Sequence, residues 1–383
     1  MNLGKDLTPE GWRSGECAST RMRRSRAFGR FTRRLPGVGK RLLFKLAGCA
    51  LFAGVPGIAL AEELPIRSVQ NIFTPKSGPA ETLFWLAVLV LSVCLVIFLV
   101  VAGLLFYAVI RYRRRGPSDD ESEPPQVYGG AAIELAWTVM PILIVVVLVL
   151  VTARTIGEIS RPALGENNEQ LRIIGHRFWW EVRYPKHNVV TANEIHVPVD
   201  TRDQPALTEI TLESADVAHG FWVPELNGKI WAVPNYRNTT WIKPFLPAIY
   251  LGNCTVICGD QHANMLIRVF VQDRKDYDQW LENQQKPPVS DPAVAQGLKE
   301  FVANSCGTCH TIATTAANGV FGPDLTHFMS RTTLGAGVAA NNEENLRSWL
   351  KNPQELKPGC LMPDMKLEDK QVDEILAYLR TLK

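Results

Sequence analysis

Residues 254–265 read Cys254-Thr255-Val256-Ile257-Cys258-Gly259-Asp260-Gln261-His262-Ala263-Asn264-Met265. The spacing C-x3-C-x3-H-x2-M gathers two thiols, an imidazole and a thioether in one short segment, and His219 lies 35 residues upstream. Such a soft donor set suits copper better than calcium or magnesium. Zinc on two Cys and two His competes with it, as does a Cys254–Cys258 disulfide in an oxidising compartment; the methionine is a donor that zinc does not need. Outward from this stretch the chain is a series of short β-like runs: Leu171–Tyr184, Glu194–Val199, Ala206–Ser214, Thr239–Phe245, Ile249–Cys254 and Leu266–Gln272. Pro, Asn and Gly break them, which predicts a β-sandwich or small Greek-key barrel.

A second stretch, Cys306-Gly307-Thr308-Cys309-His310, has the C-x-x-C-H spacing of covalent haem attachment. Cys306 and Cys309 would form the thioethers, and His310 would supply an axial imidazole. A redox or zinc C-x-x-C followed by a chance histidine is the alternative, and the context argues against it. A helix carrying Gly297 and Phe301 comes before, and Gly322-Pro323-Asp324-Leu325 comes after. Then Lys357-Pro358-Gly359-Cys360-Leu361-Met362-Pro363 offers a methionine ahead of an amphipathic helix with Leu376, Tyr378 and Leu379. Residues 293–383 therefore read as a separate unit. A helix over Arg274–Asn283 and a Pro-rich stretch from Gln284 to Pro292 precede it, with the linker placed at 276–292.

Two segments are apolar enough to cross a bilayer: Leu83 to Ile110 and Leu135 to Ala153 hold no charged residue over 28 and 19 positions. Arg111, Arg113, Arg114 and Arg115 lie between them, so the connecting loop is expected on the cytoplasmic side and the chain beyond Ala153 outside. The first 45 residues carry 12 Lys/Arg against 3 Asp/Glu, and an apolar run from Leu46 to Leu60 ends in Ala59-Leu60-Ala61. That is the pattern of a targeting segment over 1–61; Leu46-Ala47-Gly48-Cys49 is a competing lipidation motif. The 383 residues have 46% hydrophobic and 21% charged content, which excludes a disordered chain, and eight cysteines are too few for a disulfide scaffold. The net charge is +3, but the basic surplus is confined to the N-terminal segment and the rest of the chain is net acidic, which argues against nucleic acid as a partner.

These motifs together resemble subunit II of cytochrome c oxidase. The copper-type loop, Ala215-Asp216-Val217-Ala218-His219, the aromatic stretch Gly175–Pro185 and Ile133-Glu134-Leu135-Ala136-Trp137-Thr138-Val139-Met140-Pro141 occur in that family's order. The C-terminal unit resembles a class I cytochrome c, as in the caa3-type branch. The resemblance implies a multidomain membrane protein: a two-helix transmembrane hairpin (80–155), a cupredoxin-like Greek-key β-barrel (165–275) and an all-α cytochrome c domain (293–383). It implies dinuclear copper (CuA) on His219, Cys254, Cys258, His262, Met265 and the backbone carbonyl of Val256. It implies haem c on Cys306 and Cys309 with His310 and Met362 as axial ligands, Pro323 on the proximal side and His327 on a loop near the haem, while Met329 and Met365 read as packing residues. Asp216, Phe178, Trp179 and Trp180 fall where the family admits electrons, and Glu134 where it opens a proton-uptake path. The family usually has acidic residues at the positions of Val256 and Trp231, where they hold magnesium, so magnesium is doubtful here.

The expected role is electron input to a respiratory oxidase of the bacterial inner membrane. An external cytochrome c or similar donor would feed it, and subunit I, with subunit III beside it, would be partners within the lipid. A CuA-containing nitric oxide reductase and a free-standing membrane-bound carrier are the alternatives.

Overall fold

The computed structural model describes residues 64–67, 70–113, 116, 126, 128–160, 168–288 and 291–383. The expected targeting segment lies outside these residues. Two helices, α1 (Gly78–Arg111) and α2 (Ala131–Ser160), carry the apolar runs. At about 1.5 Å per residue, each exceeds the roughly 30 Å of a hydrocarbon core. Leu95, Phe106, Trp137 and Leu150 stand exposed along them, a surface that water would not tolerate and lipid would. The helix ends are fastened to the β domain: Trp241 Nε1–H donates to the Ile159 carbonyl at 2.6 Å, and the Lys243 N–H to Ser77 Oγ at 2.8 Å.

Eleven strands form two packed sheets. They are β1 (Ile66–Arg67), β2 (Glu169–His176), β3 (Trp179–Tyr184), β4 (Val189–Ala192), β5 (Glu194–Pro198), β6 (Thr208–Ser214), β7 (His219–Trp222), β8 (Ile230–Ala232), β9 (Asn238–Ile242), β10 (Ala248–Cys254) and β11 (Leu266–Gln272). One sheet runs β5-β11-β10-β7-β8 with β1 added to β10; the other runs β4-β3-β2-β6-β9. The β2/β6 and β5/β11 pairs are parallel, so the chain must cross between sheets, as in a Greek-key barrel. Side chains alternate along each strand, so one face of each sheet turns inward. Ile173, Trp180, Val182, Leu212, Phe221, Tyr250 and Val269 meet there in a closed core. The single run expected over Leu171–Tyr184 is a hairpin, β2 and β3, bent at Arg177–Phe178.

Helix α3 (Arg274–Gln285) buries Tyr277 and Leu281 against this barrel. Most of the segment expected as a linker over 276–292 is therefore docked helix. The C-terminal unit holds α4 (Ala295–Ala303), α5 (Glu343–Lys351), α6 (Pro353–Leu356) and α7 (Asp369–Leu379), with a small hairpin of Thr333–Leu334 and Ala339–Ala340 added to the helices. Asn342 and Asn352 start α5 and α6 by accepting N–H bonds from Asn345 and Gln354, the usual service of an N-cap amide. Phe301, Val372, Ile375, Leu376 and Leu379 fill its core.

Helices α4 and α7 approach so closely at Gly297 that a Cβ there would lie 2.0 Å from the Glu374 carbonyl oxygen and 2.6 Å from Tyr378 Cβ. Backbone cannot yield as a flexible side chain would. Gly297→Ala should destabilise the cytochrome unit by about 1–3 kcal/mol or more, read as a lowered denaturant midpoint of the haem absorption band.

Candidate functional site

Alternation along β10 turns Ala248, Tyr250, Gly252 and Cys254 inward. Its antiparallel register with β7 sets Cys254 opposite Phe221 and Asn253 opposite Trp222, which brings His219 to the same end of the barrel. The loop after Cys254 returns on itself: the Cys254 N–H donates to the Met265 carbonyl at 3.0 Å, and the Thr255 N–H to the Gly220 carbonyl at 2.9 Å. Gly175 makes room for the imidazole, because a Cβ there would stand 2.6 Å from its ring.

The donor atoms converge. Cys254 Sγ and Cys258 Sγ are 3.9 Å apart, both as free thiols, so the disulfide reading does not hold. Cys258 Sγ is 3.8 Å from His262 Nδ1 and 3.9 Å from Met265 Sδ, and Cys254 Sγ is 3.3 Å from the Val256 carbonyl oxygen. His219, Cys254 and Cys258 offer donor atoms that lie within 4.8 Å of one another. The Nε2–H of His219 donates to Asp216 at 2.8 Å, which leaves its buried Nδ1 without a partner. An orphaned imidazole nitrogen facing two sulfurs is the arrangement a soft metal satisfies, and a carboxylate behind the ring fixes its orientation.

The electrostatics agree with that arrangement. Burial works to lower the affinity of His219 for a proton, but the Asp216 carboxylate bonded to it and the Cys254 sulfur beside it outweigh this and hold its pKa above the ordinary value. The contact between the two cysteines draws the Cys254 pKa down, while Cys258 is held up by the same contact and by burial.

In the cytochrome unit, a cleft of about 370 Å³ is lined by Cys309, His310, Pro323 and Met362 among others. Cys306 is half-buried against the helical core. The Nδ1–H of His310 donates to the Pro323 carbonyl at 2.8 Å, leaving Nε2 available as an axial ligand. Burial lowers the His310 pKa, which favours the neutral form that ligation needs. Trp349 Nε1–H points at Met362 Sδ over 3.2 Å, and Gln354 donates to the Met362 and Cys360 carbonyls at 2.8 and 3.0 Å, bracing the methionine loop. The cleft chemistry therefore fits a haem held by His and Met. His327 is not part of it. Its ring bridges the Lys383 and Lys286 carbonyls at 2.7 and 3.0 Å, tying the C-terminus to the segment after α3. Met329 packs in the helical core as expected.

The aromatic stretch divides. Trp180 is fully buried, with its ring edge-on to His219 at 5.8 Å. Phe178 and Trp179 line the haem cleft from the barrel side, together with Arg177 and Asn193. Alternation along β3 separates the two tryptophans, a signal present in the sequence. Glu134 lies in the first turn of α2, and Trp231 is exposed on β8. No pattern in the sequence marks Lys357. Its buried ammonium donates to the carbonyls of Phe178 (2.9 Å), Asn264 (2.8 Å) and Gly335 (2.7 Å). Burial draws it down to about 8, so it stays mostly charged at neutral pH.

Comparison with known proteins matches three stretches to family descriptions. Residues 67–154 match the transmembrane domain of cytochrome c oxidase subunit II, 189–271 its periplasmic domain, and 294–383 cytochrome c. A cytochrome c oxidase subunit 2 of Alkalihalophilus pseudofirmus is 34% identical over 319 residues, 81% of this chain and 90% of that protein. The chain belongs to the cytochrome c oxidase subunit II family. Subunit 2 proteins of Bacillus subtilis and Bacillus sp. strain PS3 are each 30% identical, covering 81% and 70% of this chain and 90% and 80% of theirs. This subunit II carries a cytochrome c domain at its C-terminus.

Beside the cleft, His176 stacks on Trp179 at 4.3 Å and is held by Glu181 at 3.0 Å. Burial works to raise the Glu181 pKa, but His176 and Arg183 overcome it and leave the carboxyl below its ordinary value. A lowered carboxylate pKa stabilises the fold above the unfolded value near 4.5, and the benefit disappears as pH falls through the folded value. Glu181→Gln should cost about 1 kcal/mol at pH 7, and its difference from the native chain should shrink as pH falls below the unfolded value near 4.5, measured by denaturant unfolding from pH 7 downward.

Proposed function

We propose that this chain is the electron-input subunit of a respiratory haem-copper oxidase, passing electrons from an external cytochrome c or similar donor through haem c and CuA to subunit I, where oxygen is reduced with proton pumping. Its place would be the bacterial inner membrane, with the barrel and cytochrome domain on the periplasmic side and subunit III as a further neighbour. His219, Cys254, Cys258, His262, Met265 and the Val256 carbonyl would hold the copper pair; Cys306, Cys309, His310 and Met362 would hold the haem. When bound, the copper pair would supply a one-electron redox centre with its charge shared over two metals, and the haem would supply a second one-electron centre.

The chain's own residues set the geometry. Asp216 fixes the His219 tautomer, so that Nδ1 faces the sulfurs. Pro323 does the same for His310, and Trp349 and Gln354 hold the Met362 loop. Phe178 and Trp179 keep water from the side of the cleft nearest the barrel. Glu134, at the start of α2, is assigned to proton uptake. Val256 and Trp231 supply no carboxylate where the family holds magnesium, and no magnesium role is proposed. The observation that carries the reading is the contact between the two ligand loops: Gln261 donates to the Pro358 carbonyl, and Lys357 to the Asn264 carbonyl.

The test is optical and EPR spectroscopy of the purified membrane complex with metal analysis and gas uptake. Low-spin haem c, a mixed-valent signal spread over two copper nuclei and oxygen consumption are expected. Nitric oxide consumption in place of oxygen would move the assignment to the reductase, and haem without the copper signal would remove the copper step. Asp216→Asn should weaken copper binding about 10–100-fold, measured by competition with a copper chelator, with the haem spectrum unchanged.

A further inference from the structure

The junction between barrel and cytochrome domain is built from charges buried on each side and satisfied on the other. Glu194 of β5, only 2% exposed, accepts from the Thr332 N–H at 3.0 Å and Oγ1 at 2.7 Å, and from the Thr333 N–H at 2.9 Å and Oγ1 at 2.8 Å. Lys357, equally buried, joins the Phe178 and Asn264 carbonyls of the barrel to Gly335 of its own domain. Between them, Ala336 packs on Trp179 and Ala192, and the Leu266 N–H donates to the Ala336 carbonyl at 3.2 Å. Buried charges cost several kcal/mol if left unpaired, so separating the domains would strand a carboxylate and uncover an ammonium site at once.

We propose that Glu194 and Lys357 are positioning residues of an intramolecular docking interface that holds the Met362 loop on the loop carrying His262 and Met265, and reserves the Phe178–Trp179 face of the barrel for the chain's own cytochrome domain. The sequence suggests a domain on a Pro-rich tether, free to visit that face. The docked domain covers it permanently, so an external donor meets the cytochrome domain and not the barrel. This rests on the copper and haem reading above, but its test is separate from that reading.

The test uses the holo complex and three readouts that are not activity: hydroxyl-radical footprinting of Trp179 with the exposed Trp231 as internal reference, amide exchange at Thr332 and Thr333, and the pulsed-EPR distance between copper and low-spin haem. In the native chain Trp179 should be protected relative to Trp231, the two amides slow, and the distance distribution single and narrow. Lys357→Met and Glu194→Gln should each keep both metal spectra, speed exchange at those amides about tenfold or more, expose Trp179 and broaden the distribution. If one variant does not fold, the other and the native measurements decide. Trp179 as reactive as Trp231 in the native complex, or two folded variants with native exchange, footprint and distance, would overturn the proposal. Loss of the metal signals from the native chain would instead count against the functional reading.

Discussion

A buried charge must be met by hydrogen bonds, and among the described residues Glu194, Lys357 and Arg331 are all met across the boundary between domains. Glu194 takes its partners from Thr332 and Thr333, and Lys357 takes two of its three from Phe178 and Asn264. Neither domain can keep its own charge satisfied alone. The result is that the haem cleft has a wall made by the barrel, and the copper loop has a neighbour made by the cytochrome domain. What composition describes as three modules on a string behaves, outside the membrane, as one body with two ligand sets near its middle.

Covalent fusion alone would raise the effective concentration of the cytochrome domain at the barrel to about millimolar. Docking does something different: it removes the search. Helix α3 buries Tyr277 and Leu281 in the barrel, and His327 ties Lys286 to the chain end, so little free chain remains between the domains. A fixed geometry is the useful arrangement when an electron has to cross between two sites repeatedly, because each orientation lost to tumbling is a failed attempt.

Much of this is legible in the sequence. The C-x-x-C-H and C-x3-C-x3-H-x2-M spacings point to the side chains that the structure gathers in the cleft and at the end of the barrel, because metal chemistry asks for donors a few residues apart. The membrane helices follow from long uncharged runs, and the barrel from short β-like segments. The part that stays hidden depends on tertiary docking. Nothing in Leu356-Lys357-Pro358 or Asn193-Glu194-Ile195 distinguishes a clasp from ordinary surface charge, and the prolines after Gln285 read as a tether because composition does not report what packs on it. The two adjacent tryptophans read as one group, whereas strand alternation sends Trp180 to the core beside His219 and Trp179 to the cleft. His327 does lie on a loop whose Leu325 and Phe328 line the cleft, but what its ring does, holding the chain end, is not legible in the sequence.

The central claim is that the cytochrome domain is the route to the barrel's metal site. The direct measurement is anaerobic stopped-flow mixing of the purified complex with a reduced soluble cytochrome c, following the haem and copper absorption bands separately. The account predicts that haem is reduced first, at a rate proportional to donor concentration, and that copper is reduced after it at a rate independent of the donor. Copper reduced ahead of haem, at a rate that rises with donor concentration, would contradict it.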